Sequence, residues 1–268
     1  MKKLSTKVDS IPSAGTKADS DTLPIVSSSS HNSSKPLVMG SLGIRKLYNC
    51  DSRTLIELLP TNSLIISDPP YNIGFEYPEY GDRMTDEEYT EMFAKYSHLP
   101  CVFINYPEEM IKYICKALGT PNEIVTWCYP SNIGRQHRMI AWFNCRPDFS
   151  KVKQPYRNPT DKRIQQLIRN GSKGTDIYDW WEIDLVKNVS DEKEDYTNQI
   201  PEEVIARIIK TTATDETVIV DPFNGSGTTC AVAEKLGYGW IGIDVSLKAI
   251  KIAERRIANV NPLFREVC

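Results

Sequence analysis

The 268-residue chain holds 40% hydrophobic and 25% charged residues, with 32 Lys+Arg against 35 Asp+Glu and a formal net charge of −3. That is the make-up of an ordinary globular protein of one or two domains, large enough to bury a core without staples; it excludes collagen-like and wholly disordered classes. No run of about 18 apolar residues occurs, which excludes a membrane-spanning helix, and the near-neutral balance leaves nucleic-acid binding to a local basic patch.

Residues 1–40 are rich in Ser, Thr and Lys and include the run Ser27–Ser30. So little apolar surface cannot offset the entropy of ordering, which predicts a disordered tail ahead of a folded domain over 41–268. Asp9, Asp19 and Asp21 argue against an organellar transit peptide, and no secretory apolar core is present, so the cytoplasm is the expected compartment. Leu64–Ser67 reads as a strand that must stop at Asp68-Pro69-Pro70, because prolines cannot continue a ladder. Thr85-Asp86-Glu87-Glu88 is a capping box opening a helix with Tyr89, Phe93 and Tyr96 on one face. Residues 101–105 (CVFIN) predict a buried strand; Pro107 then opens a helix with Ile111, Ile114 and Leu118 inward, ended by Gly119. Further strands are expected at 123–128 and 138–143.

Residues 146–175 carry eight basic residues and two acids; residues 176–195 carry eight acids and two lysines. Patterned sequence then returns. Pro201 starts a helix with Val204, Ile205, Ile208 and Ile209 apolar, and 217–220 (TVIV) runs as a strand into Asp221. A helix is expected from about Ser226 to Gly237, a strand at 240–243 (WIGI) into Asp244, and a last helix capped by Ser246 with Leu247, Ile250, Ala253 and Ile257 inward. Strands alternating with helices predict an α/β fold, a doubly wound and mostly parallel sheet, whose ligands bind at the carboxyl ends of the strands. The seven cysteines are odd in number, widely spaced and lack a C-x-x-C pair, which reads as free thiols and gives no metal site.

Two strand ends carry chemistry. The turn 221–229 (DPFNGSGTT) is Gly-rich and leads into a helix, a place for close backbone approach and for an anion. It is neither a Walker A loop nor G-x-G-x-x-G. Asp244 follows some 20 residues later, at a position where an acid commonly holds ribose hydroxyls. The other end, Asp68-Pro69-Pro70-Tyr71, presents a carboxylate, backbone carbonyls and an aromatic ring. A nucleobase amine is a poor nucleophile because its lone pair is delocalised into the ring. Acceptors at Asp68 and the Pro69 carbonyl would draw it toward a tetrahedral geometry, and Tyr71 would stack on an extruded base.

Together the two motifs resemble the β class of S-adenosylmethionine-dependent DNA amino-methyltransferases, catalytic motif first and cofactor motif last, over about Arg45 to Ile257. The resemblance implies a Rossmann-like methyltransferase fold with circularly permuted motif order. Catalysis would come from Asp68, Pro69, Pro70 and Tyr71. Cofactor contacts would come from Asp51, Asp68, Gln199, Asp221, Phe223, Gly225, Ser226, Gly227, Thr228 and Asp244. Tyr196-Thr197-Asn198-Gln199-Ile200-Pro201 occupies the place of the family's HPTQKP-like segment, but Ile200 stands where Lys is usual and Asn198 where Thr is usual. This departure passes the contact to the cofactor's carboxylate to Gln199 and the Ser226–Thr228 helix start. A target-recognition insertion is implied over about 146–195, with Lys151, Lys153, Arg157, Lys162, Arg163, Arg169 and Lys173 on the phosphates and the acidic 176–195 turned away. Residues 72–84 are expected to form a mobile loop over the flipped base.

An Asp opening the catalytic motif favours adenine N6 in double-stranded DNA. Cytosine N4, an RNA adenine, or a catalytically silent nucleic-acid-binding subunit are the alternatives. A homodimer and a cognate restriction endonuclease are the expected partners beside DNA.

Overall fold

The computed structural model describes residues 42–260 apart from 75, 78–79, 82, 132–133, 188–189 and 191, and the backbone alone of 76–77 and 80–81. The tail expected over 1–40 and part of the loop expected over 72–84 lie outside the described residues.

In chain order the strands are β1 (Lys46–Asn49), β2 (Ser63–Ser67), a short hairpin of β3 (Glu76–Tyr77) and β4 (Tyr80–Gly81), β5 (Cys101–Asn105), β6 (Glu123–Cys128), β7 (His137–Phe143), β8 (Lys153–Gln154), β9 (Thr175–Asp176), β10 (Trp180–Glu182), β11 (Val218–Asp221) and β12 (Gly239–Asp244). The helices are α1 (Asp86–Ala94), α2 (Pro107–Glu109), α3 (Cys115–Leu118), α4 (Lys162–Arg169), α5 (Glu202–Thr212), α6 (Thr228–Lys235) and α7 (Leu247–Ala258). Among the described residues eight strands make the main sheet, in the order β1-β12-β11-β2-β5-β7-β6-β10. β7 runs against both its neighbours; every other pairing in that sheet is parallel.

β2 and β5 are buried at every position, as strands covered on both faces must be. Leu64 and Ile66 of β2 join a core with α5 and α6, whereas Ile65 joins the opposite core with α1 and the helix after β5. Each such buried Leu or Ile contributes about 1.5–3 kcal/mol. α1 starts where the box predicts it: the Glu88 N–H donates to Thr85 Oγ1 at 3.2 Å and the Thr85 N–H to Glu88 Oε2 at 3.0 Å.

Three expectations need correction. α2 passes into α3 through a π-helical turn, Met110–Ile114. The extra residue rotates the register, so Met110 and Ile114 are buried and Ile111 faces out at 62% exposure. In α7, Leu247 is exposed at 48%, while Ala249, Ile252 and Arg256 fill inward positions. α6 begins at Thr228 rather than Ser226, with Gly227 at its cap. The edge strands β1 and β10 were not expected at all.

Candidate active site

β2 and β11 are neighbours, with Val220 opposite Ile65, and the chain leaves β2 toward β5 but leaves β11 toward β12. The crevice where strand order reverses is the place an open α/β sheet offers a ligand. Here it is a cleft of about 710 Å³ into which both motif turns open: Asp68 to Tyr71 on one side, Pro222 to Ser226 on the other.

Ser67 Oγ ties the two strands together by donating to Asp221 Oδ1 at 2.6 Å, and the Phe223 N–H donates to the same oxygen at 3.1 Å. Burial pushes the Asp221 carboxyl up to about 6 against those donors. Beyond Asp221 the backbone turns at Gly225 with φ +48°. A Cβ there would lie 3.0 Å from the Tyr196 ring, so Gly leaves the turn open under Tyr196. The Gly225 N–H donates to Asp244 Oδ2 at 2.7 Å, and the Ser246 N–H donates to Asp244 Oδ1 at 2.8 Å. Register places Asn49 opposite Asp244, so Asp51 and Asp244 leave adjacent strands at one end of the cleft. Arg53 grips Asp51 and holds its carboxyl below the usual range.

On the Asp68–Tyr71 side, the Tyr71 hydroxyl donates to Asp68 Oδ1, and Arg138 Nη1 approaches Asp68 Oδ2 at 3.3 Å. Burial outweighs both and moves Asp68 up to about 6. The Tyr89 hydroxyl of α1 donates to the Pro70 carbonyl and fixes the turn from below. The Tyr71 ring packs edge-on against Tyr106 with centroids 5.0 Å apart. At the base of the following loop Asn72, with φ +56°, bonds Met84 twice: Nδ2 donates to its carbonyl at 3.0 Å and Oδ1 accepts its N–H at 2.7 Å.

The cleft fits an adenosyl-sized cofactor bearing a carboxylate. Gly225 supplies an opening that a side chain would fill, Asp51 and Asp244 supply acceptors for hydroxyls and amines, and Asn224 lines the cleft with its buried amide lacking a hydrogen bond among the described residues. Ser226, Thr228 and Phe223 line the cleft, whereas Gly227 does not. Gly227, at φ +77°, has a packing role: a Cβ there would meet that of Ala253 in α7 at 2.6 Å. Gln199 lines the cleft, but its amide braces the preceding segment, donating to the Glu192 carbonyl at 2.6 Å and accepting the Glu194 N–H at 2.9 Å. The acidic stretch does not wholly turn away, since Lys193, Glu194 and Asp195 line the same cleft. Where the usual Lys is missing, Ile200 is buried in the core. Behind the turn a buried cation, Arg256, donates to Thr228 Oγ1 at 2.7 Å and pairs with Glu202 at 2.9 Å.

The seven basic residues expected on DNA are all exposed. Lys151 donates to the Ala213 carbonyl, Lys153 pairs with Asp176, and Arg163 pairs with Asp161 at 3.6 Å. Arg157 lies 5.4 Å from the ring of Tyr178 and 5.3 Å from that of Trp180, both 40% exposed. α4, which holds Lys162, Arg163 and Arg169, buries no residue and exposes Leu167 and Ile168. Sequence reasoning missed Arg138 and Arg256, and it named Tyr196 only as part of the 196–201 segment, without a role of its own.

Comparison with known proteins agrees with this architecture. The chain is 27% identical to the type II methyltransferase M.HpaI of Haemophilus parainfluenzae, over 81% of this chain and 72% of that protein. It is 27% identical to the DNA adenine methyltransferase YhdJ of Escherichia coli K12, over 80% and 82% respectively. The crystal structure of the M1.HpyAVI–SAM complex superposes with a TM-score of 0.56 at 18% identity, covering 79% of this chain and 98% of that one, a likeness of fold. The N6/N4 methyltransferase family, described as DNA methylase, matches residues 63–255, and the chain belongs to that S-adenosylmethionine-dependent DNA methyltransferase family.

Proposed function

We propose that this enzyme methylates adenine N6 in a specific double-stranded DNA sequence after flipping the base. The observation that carries the reading is the single cleft shared by the Asp68–Tyr71 turn and the Gly225 bend. Likeness to YhdJ, a DNA adenine methyltransferase, supports adenine, as does the Asp that opens the catalytic motif.

Bound in the cleft, S-adenosylmethionine supplies an activated methyl group on a sulfonium. The chain's own work is positioning. The Asp68 carboxylate and the Pro69 carbonyl accept the N–H bonds of the target amine and turn its lone pair outward. Tyr71 stacks on the extruded base. Asp244 and Asp51 hold the hydroxyl-bearing and adenine ends of the cofactor, and Phe223 packs against it. Residues 146–195 form the target-recognition region: Arg157, Lys162, Arg169 and Lys173 meet phosphates, and the glutamines of α4 read base edges.

A homodimer and a cognate restriction endonuclease belong to the same reading, the latter on likeness to a type II methyltransferase, and so does work in the cytoplasm. Sedimentation tests the dimer.

Mass spectrometry of nucleosides from treated genomic DNA checks the reaction. We expect N6-methyladenine; N4-methylcytosine alone would overturn the base assignment. Cofactor binding with no methylated base would favour a silent binding subunit. Asp68→Ala should lower transfer by at least about 10³-fold with cofactor affinity nearly unchanged.

A further inference from the structure

Arg138 is the second residue of β7, and its side chain is 6% exposed. It does not line the cleft. Its guanidinium carbon lies 5.2 Å from the ring of Tyr71, 5.3 Å from Trp127, 5.4 Å from Tyr106 and 6.0 Å from Tyr129. Its Nη1 faces Asp68 Oδ2 at 3.3 Å. Burying an arginine carries a steep desolvation cost, and an apolar residue in the same space is often at least as stable. Stability is therefore a poor reason for a cation at this point.

The geometry assigns the two carboxylate oxygens different partners. Oδ2 belongs to Arg138, which four rings pin in place. Oδ1 belongs to the Tyr71 hydroxyl, carried on a ring that lines the cleft. Beside the Pro69 carbonyl, an incoming amine needs one acceptor from this carboxylate, and only the Tyr71 bond can be exchanged without leaving a buried guanidinium bare. We infer that Arg138 is a positioning residue for methyl transfer: it keeps the Asp68 carboxylate anionic and turned, so that Oδ1 is the oxygen offered to the target amine. This rests on the methyltransferase reading above.

Few groups compete for that role. Tyr71 faces Asp68 from its own turn and Arg138 from β7; Tyr106, after β5, and Tyr129, after β6, lie beyond Arg138. Arg135 sits over Tyr106 at 4.5 Å and is paired with Glu109 at 3.2 Å, and Asp221 is engaged by Ser67. Among the described residues Arg138 is the cation that opposes the burial of Asp68. Without it only the Tyr71 hydrogen bond opposes burial, the carboxyl holds its proton to higher pH, and a donor meets the amine where an acceptor is needed.

The test uses the full chain, labelled S-adenosylmethionine and unmethylated genomic DNA, with single-turnover rates from pH 5 to 9 and calorimetric cofactor titration beside them. The wild type should lose rate below about pH 6. R138Q should move that acid limb up by at least one unit, be slower by about tenfold or more at pH 7, recover partly at pH 9, and bind cofactor as the wild type does. R138K keeps the charge but not the planar stack, so its limb should stay in place while the rate falls several-fold. An unshifted limb in R138Q would overturn the proposal. So would a loss in R138Q that is the same at every pH and accompanied by weaker cofactor binding, since that marks a structural role only. Should R138Q fail to fold, a limb in R138K displaced by a unit or more would overturn it equally. Failure of the wild type to methylate any base would instead sink the underlying reading.

Discussion

Asp221 shows how single positions serve the site at the expense of the fold. Its carboxyl is buried beside Ser67, the Phe223 N–H and Thr229, with no cation in that set, and burial raises it to about 6. The unfolded group titrates near 3.8, so the folded state binds the extra proton between about pH 4 and 6. Stability therefore falls as pH rises through that window and stays lower above it. Asn in this place keeps an oxygen for both Ser67 and Phe223, which share Oδ1. Asp221→Asn should stabilise the protein at pH 8 by on the order of 2 kcal/mol, with the gain shrinking toward pH 5, as urea unfolding at both pH values would show. Such positions are partly legible in sequence. Asp68, Asp221 and Asp244 stand out because each ends an apolar run. Arg138 left one overlooked signal: period-two alternation puts it on the same face of β7 as Ile140 and Trp142, and a charge on a buried face has to be paired. Nothing in the sequence alone shows that its partner is Asp68, 70 residues earlier.

Among the elements, legibility followed burial. β2, β5 and β11 were readable because both faces of each strand are covered, and α1 and α7 because Thr85 and Ser246 cap them. β1 and β10 escaped because they lie at the sheet's edges, where exposed positions break the apolar pattern. The phase of the helix after Pro107 was misread because one π turn adds a residue that no periodicity announces. α4 has the opposite character, a helix with Asp161 capping its start and no buried residue, so the core gains little from it. Substitutions on its exposed face should shift unfolding by no more than about 0.5 kcal/mol. Nucleic-acid affinity should respond instead. Removing Arg157, held beside Tyr178 and Trp180, should weaken DNA binding and reduce the slope of log affinity against log salt by about one, measured by fluorescence anisotropy.

At the scale of the whole molecule, the fold brings together parts of the chain that synthesis separates widely. β2 and β11 lie side by side although about 150 residues part them, and each ends in one wall of the cleft. The intervening chain contains the turn at Gly171, exposed and at φ +88°, directly after α4. A break there would interrupt no strand of the main sheet. Two polypeptides divided at Gly171 should therefore each be inert, one holding the Asp68–Tyr71 wall of the cleft and the other the Gly225 bend. Mixed, they should regain methylation through the parallel zipper of β2 on β11, with activity rising with the concentration of the scarcer half. The enzyme would then behave as a two-key lock, armed only when both halves meet.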